Sequence, residues 1–365
     1  MTMARIYTPA AVFSAGEYLR DELDERGWTV TEFAEIIGRP IQAVSEILNG
    51  KKEITTETAI AFSEAFGTTP ELWLNLQTAY RLYEQRSDMS EEEFTPVARR
   101  ARLRRVIPLT QVRSRGWISE TDDLDETELA VCDLLEINNL DDRPQFAVAA
   151  KRSNSVDPIT IEQVAWLAYV RRVAVSQSVA AFDIEELRQL AENLPYIVKD
   201  GPGELPRLPT LLGECGVCLV FAEGLRGGKL DGAVTFLPDG CPVIALTTRH
   251  NRFDSLLFAL LHECAHLTLG HINARSGSII DDDLMGPQND PDEVAANNQA
   301  ISWLFPGGFD DWSTSVQTIG RAALKYNVHP SVVIGHIQFK TKKFSLYRNQ
   351  IPKVRPVLQD AGLLL

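Results

Sequence analysis

Residues 262–266 read His-Glu-Cys-Ala-His, inside an apolar run with helical spacing. On a helix, positions i and i+4 share one face, so both imidazoles can reach a single metal ion. The glutamate between them can take a proton from a water on that metal, and this combination is the working part of a zinc-dependent hydrolase. Leu256, Leu257, Leu260, Leu261, Leu267 and Leu269 surround the motif. The imidazoles are therefore expected to be half-buried, where an imidazole needs a metal or a hydrogen-bond partner.

Zinc needs a third protein ligand and, for catalysis, an open fourth position. Downstream stand His271, the run Asp281-Asp282-Asp283, and Asp292-Glu293. His271 lies half a turn away from the direction of His262 unless Gly270 ends the helix, so it is read as supporting the ligands from behind or as a surface group. The Asp run lies between Gly277 and Gly286 and reads as a loop. Glu293 opens a second helical pattern, EVAANNQAISWLFP, that stops at Pro306, and Glu293, Asn297 and Ala300 share one of its faces. The expected ligands are His262, His266 and Glu293, with Glu263 as general base, Zn2+ as cofactor, and His271 and Asn297 behind the ligands. No oxyanion donor stands out; His271, Arg249 and Tyr326 are the groups to examine. CGVCLVF, AVTFL and CPVIALT ahead of the motif read as short strands, separated at Gly227-Gly228 and Pro238-Asp239-Gly240.

The first part of the chain carries a different pattern. Short helical runs follow one another from residue 16 to 86. Thr31 is placed to cap TEFAEIIG, and Arg39-Pro40 open PIQAVSEILNG, which stops at Asn49-Gly50. Two short helices joined by a tight glycine-containing turn form a helix-turn-helix. Phe33, Ala34, Ile37, Val44, Ile47 and Leu48 fall on the buried side, which leaves Ile41, Gln42 and Ser45 outward. Gln can read an adenine edge, and the following Lys51 and Lys52 suit phosphates. The candidate DNA-contacting residues are Thr31, Arg39, Gln42, Ser45, Lys51 and Lys52.

The 365 residues leave room for two or three domains, and the net charge of −14 argues against a general polyanion binder. Nucleic-acid contact must come from a local patch. Arg99, Arg100, Arg102, Arg104 and Arg105 crowd one segment, and ten acidic residues without a basic one follow between Gly116 and Asp142; both read first as solvated helix faces and loops. The longest apolar stretch contains two His and a Glu, so no membrane span is expected. Five scattered cysteines and the absence of a secretory h-region point to a reducing cytoplasm. Cys215 and Cys218 form a lone C-x-x-C followed by a strand, and are expected to be inert thiols.

Two resemblances organise these features. GEYLRDELDERGWTVTEFAEIIGRPIQAVSEILNGKKEITTETAIAFSEAFGTTPELWLNLQTAYRLYE resembles the HigA branch of the XRE-type helix-turn-helix antitoxins. That implies a five-helix domain that binds operator DNA as a homodimer, next to a toxin of the HigB kind. LLGECGVCLVF, LDGAVTFLPDGCPVIALTTR, FALLHECAHLTLGH and DEVAANNQAISWLFP, in that order, resemble the ImmA/IrrE metallo-endopeptidases, with AALKYNVHPSVVIGHIQ similar to their helical tail. This implies a zinc endopeptidase of the gluzincin arrangement that cleaves a helix-turn-helix repressor; His262, His266 and Glu293 match the ligands and Glu263 the base. Where the family often carries a second acid, two positions after the first, this chain has Ala295.

The expected fold is α+β and mostly α. It comprises an all-α helix-turn-helix domain over 1–86, a helical connector over 87–205, and a zincin-like domain with a small sheet over 206–365. The expected function is a DNA-binding regulator whose peptidase hydrolyses a bond in a regulatory protein or in itself, with the stretch from Ser87 to Pro108 as a candidate self-cleavage site. The alternative is a repressor or antitoxin whose peptidase fold is inactive and serves as a sensor or dimerisation module.

Overall fold

The computed structural model describes residues 13–87, 95–148, 151–152, 158–273, 277–281, 290–310 and 312–364. The chain divides into two compact units, Met1–Phe94 and Thr95–Leu365.

The first unit is five helices: α1 (Ala15–Arg26), α2 (Val30–Ile36), α3 (Ile41–Leu48), α4 (Thr56–Phe66) and α5 (Pro70–Ser87). Local chemistry sets their ends. Ser14 caps α1 and Glu17 reaches back to it, a reciprocal capping box, and Gly27 closes the helix in the left-handed conformation at φ 68°. The expected cap of α2 is corrected here. Thr29, not Thr31, accepts from the Glu32 amide while the Glu32 carboxylate binds the Thr29 amide; Thr31 lies inside the helix and is exposed. The core is aromatic. Phe33, Phe62 and Trp73 are fully buried and Phe66 nearly so, with Phe33–Phe66 ring centroids 4.8 Å apart and Phe62–Trp73 5.0 Å apart. Ala34, Val44 and Ile47 join this core, whereas Ile37 and Leu48 are only half-buried against it.

The second unit begins with α6 (Pro96–Val106), α7 (Leu109–Ser114), α8 (Leu124–Leu135), α9 (Gln145–Val148), β1 (Lys151–Arg152), α10 (Ile161–Ala174), α11 (Ile184–Ile197) and α12 (Leu208–Glu214). It continues through β2 (Cys218–Phe221), β3 (Gly232–Phe236), β4 (Pro242–Leu246), α13 (Phe253–Thr268), β5 (Ile279–Asp281), α14 (Pro291–Leu304), α15 (Val316–Tyr326), α16 (Pro330–Thr341) and α17 (Arg355–Asp360). The five strands form one mixed sheet in the order β1-β5-β3-β4-β2. β3 runs antiparallel to both β4 and β5, while β2 is parallel to β4 and β1 to β5. β1 and β5 were not foreseen as strands.

Both faces of the sheet are covered, which is why its strands read as continuous apolar runs. Leu219, Phe221, Val234, Ile244, Leu246 and Ile279 face a core shared with α11, α13, α14 and α16. Their neighbours Val220, Ala233, Val243, Ala245 and Ile280 face the opposite core, made with residues of α6, α8 and α10. The segment expected to be a connector therefore supplies one of the two layers on the sheet, and from Thr95 onward it belongs to the same compact unit as the H-E-x-x-H helix. Arg99 pairs with Glu128 and Asp125, and Arg102 with Asp141, so part of the arginine cluster meets the acidic run inside this layer. The proposed self-cleavage stretch falls partly on residues 88–94, outside the described residues, and its remainder includes α6.

One glycine in the first unit is sterically required. A Cβ on Gly16 would stand 2.6 Å from the Ile47 carbonyl oxygen and 2.8 Å from that of Leu48, backbone atoms of α3 that cannot step aside alone. Gly16→Ala is expected to push α1 from α3, at an overpacking cost of about 1–3 kcal/mol. Hydrogen exchange should show faster-exchanging amides in both helices, whereas protection unchanged from wild type would contradict this packing.

Candidate functional site

Helix α13 is buried on all sides because the sheet, α11, α14 and α16 surround it. His262, Glu263 and His266 consequently have no exposed surface. Their Nε2 atoms bring the two imidazoles together, 2.9 Å apart. Helix α14 opens with Asp290 as its cap and Pro291 in its first turn, which places Glu293 against both histidines, 3.3 Å from His262 Nε2 and 3.4 Å from His266 Nε2. One turn on, His262 Nδ1 donates to Asn297 Oδ1 at 3.1 Å. That bond fixes the tautomer and turns the Nε2 lone pair toward the cluster.

His271 reaches the same site from behind. Helix α13 is capped at Leu269, and Gly270 adopts φ 74°, which folds the chain back so that His271 Nδ1 stands 3.1 Å from His266 Nδ1. Burial, with the neighbouring His266 imidazole, pushes the His271 pKa down, so it is suited to accept from His266. Asp292 lies 3.9 Å from its other nitrogen.

The fourth member comes from the aspartate run expected as a loop. Asp281 is not in a loop: it ends strand β5, is fully buried, and lies 3.2 Å from His262 Nε2. Alternation along β5 sends Ile280 to one core and Asp281, with Ile279, to the α13 side. Asp282 and Asp283 lie outside the described residues. Ligand atoms of His262, His266, Asp281 and Glu293 all fall within 4.8 Å of one another.

These spacings fit a divalent ion. Zinc–ligand bonds near 2.0–2.1 Å in a tetrahedron put neighbouring ligand atoms about 3.3 Å apart, and three of the contacts here are 3.2, 3.3 and 3.4 Å. Moreover, both oxygens of Asp281, both of Glu263 and Oε2 of Glu293 are buried without a hydrogen-bond partner. Buried carboxylates left this way cost several kcal/mol each unless a cation satisfies them. In the ion-free chain the electrostatics divide accordingly. Burial would lower the His262 pKa, but Asp281 and Glu293 outweigh it and raise it to about 9. Burial would raise Asp281, but the two imidazoles hold it below the usual carboxylate range. Glu263 is pushed well up, first by burial and then by Asp281 and Glu293.

Glu263 sits where it does because β3 makes room. A Cβ on Gly232 would stand 2.1 Å from Glu263 Oε1, and Gly232 is the register partner of Asp281. A mostly apolar cavity of about 530 Å³ is lined by Asn297, which binds His262, and by Phe258 and Asp231 among others. Of the other groups considered, Arg249 binds Asp231 at 3.2 Å and Tyr326 donates to the Gly308 carbonyl at 2.6 Å. The five cysteines are free. Cys218 lies 3.7 Å from Cys241 and burial pushes its pKa up to about 12, while burial also raises those of Cys215 and Cys264, so these thiols are poorly suited to react.

On the helix-turn-helix, Gln42 and Ile41 are exposed and Ser45 half-buried on α3, with Thr31, Arg39, Lys51 and Lys52 exposed around them. Gln42 Nε2 donates to Glu46 Oε1 at 3.1 Å, and Arg39 pairs with Glu57 at 3.2 Å. Residues 19–73 match the family model described as helix-turn-helix. The antitoxin HigA-1 of Vibrio cholerae is 40% identical over 80 residues, which cover 22% of this chain and 75% of that protein. The HTH-type transcriptional regulator YddM of Escherichia coli K12 is 38% identical over 69 residues, covering 19% of this chain and 73% of the relative. The chain belongs to the helix-turn-helix family. Its first unit is an XRE-type domain with HigA-like antitoxin relatives. Among solved structures, a HigA-family addiction-module antidote protein from Coxiella burnetii is 37% identical, with 23% of this chain and 97% of that chain covered and a TM-score of 0.21. Each of these likenesses covers less than a quarter of this helix-turn-helix protein, so the second unit is read from its own geometry. Among the described residues, no helix is long and apolar enough to cross a membrane.

The Gly232–Glu263 contact generates a double-mutant test. Gly232→Ala should destabilise the wild-type chain by about 1–3 kcal/mol through overpacking, and by much less in a Glu263→Ala background where the struck side chain is gone. Chemical unfolding followed by the tryptophans measures both; equal costs in the two backgrounds would refute the contact.

Proposed function

We propose that this chain is an operator-binding regulator of the HigA-like kind that carries a zinc-dependent endopeptidase, acting on a peptide bond of a regulatory protein. The observation that carries the enzymatic part is the buried set His262, His266 and Glu293 with Glu263 beside it. His262, His266 and Glu293 would hold a zinc ion, which would supply the Lewis acidity that activates water and polarises a carbonyl. The residues around it do the rest. Asn297 and His271 each hold one imidazole by its Nδ1, which keeps the Nε2 atoms aimed at a common point. Glu263, buried and already raised in pKa, is suited to take a proton from the attacking water and pass it to the leaving amine. The largely apolar cavity lined by Asn297 offers room for substrate side chains.

The regulatory part rests on the helix-turn-helix likeness and on the face that α3 presents. Gln42 must exchange Glu46 for a base edge, and Arg39 must exchange Glu57 for a phosphate. Arg39–Glu57 is an exposed ion pair, which contributes only about 0–1 kcal/mol and so opposes binding weakly, and Gln42–Glu46 is a single hydrogen bond at the helix surface. Binding as a homodimer, a HigB-type toxin partner and a helix-turn-helix repressor as substrate all belong to this reading.

Two measurements test it. Terminal proteomics of cells expressing wild type or Glu263→Gln should reveal new N-termini in a regulatory protein, or in the chain itself, only with wild type. Identical termini in both would leave the repressor with an inactive peptidase fold. Binding to operator fragments selected from genomic DNA should weaken steeply with salt, and Gln42→Ala should reduce the preference for selected over random sequence by about 1–3 kcal/mol. Binding without sequence preference in wild type would refute the operator-reading role.

A further inference from the structure

We infer that Asp281 is a displaceable fourth ligand that closes the metal centre in this conformation, so that the chain holds its zinc in a latent, four-protein-ligand state. The inference rests on the zinc reading above and concerns how that site is regulated.

Three of the four candidate ligands make one face. His262 and His266 touch through their Nε2 atoms at 2.9 Å, and Glu293 contacts both, at 3.3 and 3.4 Å. Each imidazole is tied from behind, His262 by Asn297 and His266 by His271. Glu293 rises from a helix packed along α13. Asp281 enters from the sheet instead. It comes within 3.2 Å of His262 Nε2 on the side where Gly232, its register partner, leaves space for Glu263. The Asp281 carboxylate thus meets His262 on the strand pair whose Gly232 faces Glu263, so a water placed to serve Glu263 would have to share that side of the cluster with it.

A centre closed by four protein ligands is of the structural type, whereas a catalytic one keeps a position open. Asp281 is also the less secured of the two carboxylate ligands, since it contacts one imidazole where Glu293 contacts both. It is fully buried, and its contacts are with members of the cluster; among the described residues no group outside the cluster donates to its oxygens. Ligating carboxylates are ordinarily held by such bonds, and one without them leaves its metal more easily. No covalent step is involved: activation is the exchange of one carboxylate ligand for solvent.

The test uses the full chain loaded with cobalt in place of zinc, its visible absorption, and acetohydroxamate as a probe that needs an open coordination position. Wild type should bind one metal ion per chain and show a spectrum insensitive to the probe. Asp281→Ala should retain one metal ion per chain and bind the probe at least ~10-fold more tightly, with a spectral change. Asp281→Asn, which preserves size, serves if the alanine variant does not fold, with the same expectation. Equal probe affinity in wild type and the variants would overturn the inference while leaving the zinc reading intact. Metal lost from both Asp281 variants but retained by Glu293→Ala would also overturn it, since Asp281 would then be an ordinary anchoring ligand. Wild type that binds no metal would overturn the zinc reading itself, and this inference with it.

Discussion

Two imidazoles and three carboxylates meet in a space closed to water, and the second unit is organised around the cost of keeping them there. An unpaired buried carboxylate is unfavourable by several kcal/mol, and His262, Glu263, His266 and Asp281 are all fully buried, with Glu293 nearly so. Without an ion, the groups can only shift protons among themselves, which is what the raised His262 and Glu263 and the lowered Asp281 express. A divalent ion would satisfy the same oxygens at the spacing already present. The apolar packing that surrounds α13, with the sheet on one side and α11, α14 and α16 on others, holds this charge in place.

Every layer has a part in that constraint. The outer helices α6, α8 and α10 cover the far face of the sheet, which frees the near face to carry Gly232 and Asp281 toward α13. Helix α14 brings Glu293 against both histidines and, one turn on, Asn297 against His262 Nδ1. Gly270 turns the chain so that His271 can orient the second histidine. The helix-turn-helix unit is stabilised differently, by a compact aromatic core and by reciprocal caps at Ser14 and Thr29, and its outward face is free of such demands.

How much of this was legible follows the range of the interactions. His262, His266, Glu293 and Asn297 could be read because helical periodicity is local: positions three and four apart share a face in any sequence. Asp281 could not, because its direction depends on pairing with β3, and a three-residue strand beside an aspartate run carries no period of its own. The Thr29 cap is legible in the spacing: Thr29 has Glu32 three residues on, as a capping box requires, whereas Thr31 has Ala34. The covering layer over residues 95–205 also had a signal. CLVF and PVIAL are apolar at every position, so they required helices on both faces, and the only unassigned helices lay in the supposed connector. The helix-turn-helix was legible both in pattern and in family likeness because its core contacts are close in sequence.

The measurement that bears most directly on this account is the metal content of the full chain purified without chelator, by elemental mass spectrometry, together with zinc-edge X-ray absorption. About one zinc per chain is expected, bound by nitrogen and oxygen ligands near 2.0 Å that include two imidazoles. A chain that folds with its histidines and carboxylates buried as described, yet carries no zinc and takes up none when it is supplied, would contradict it.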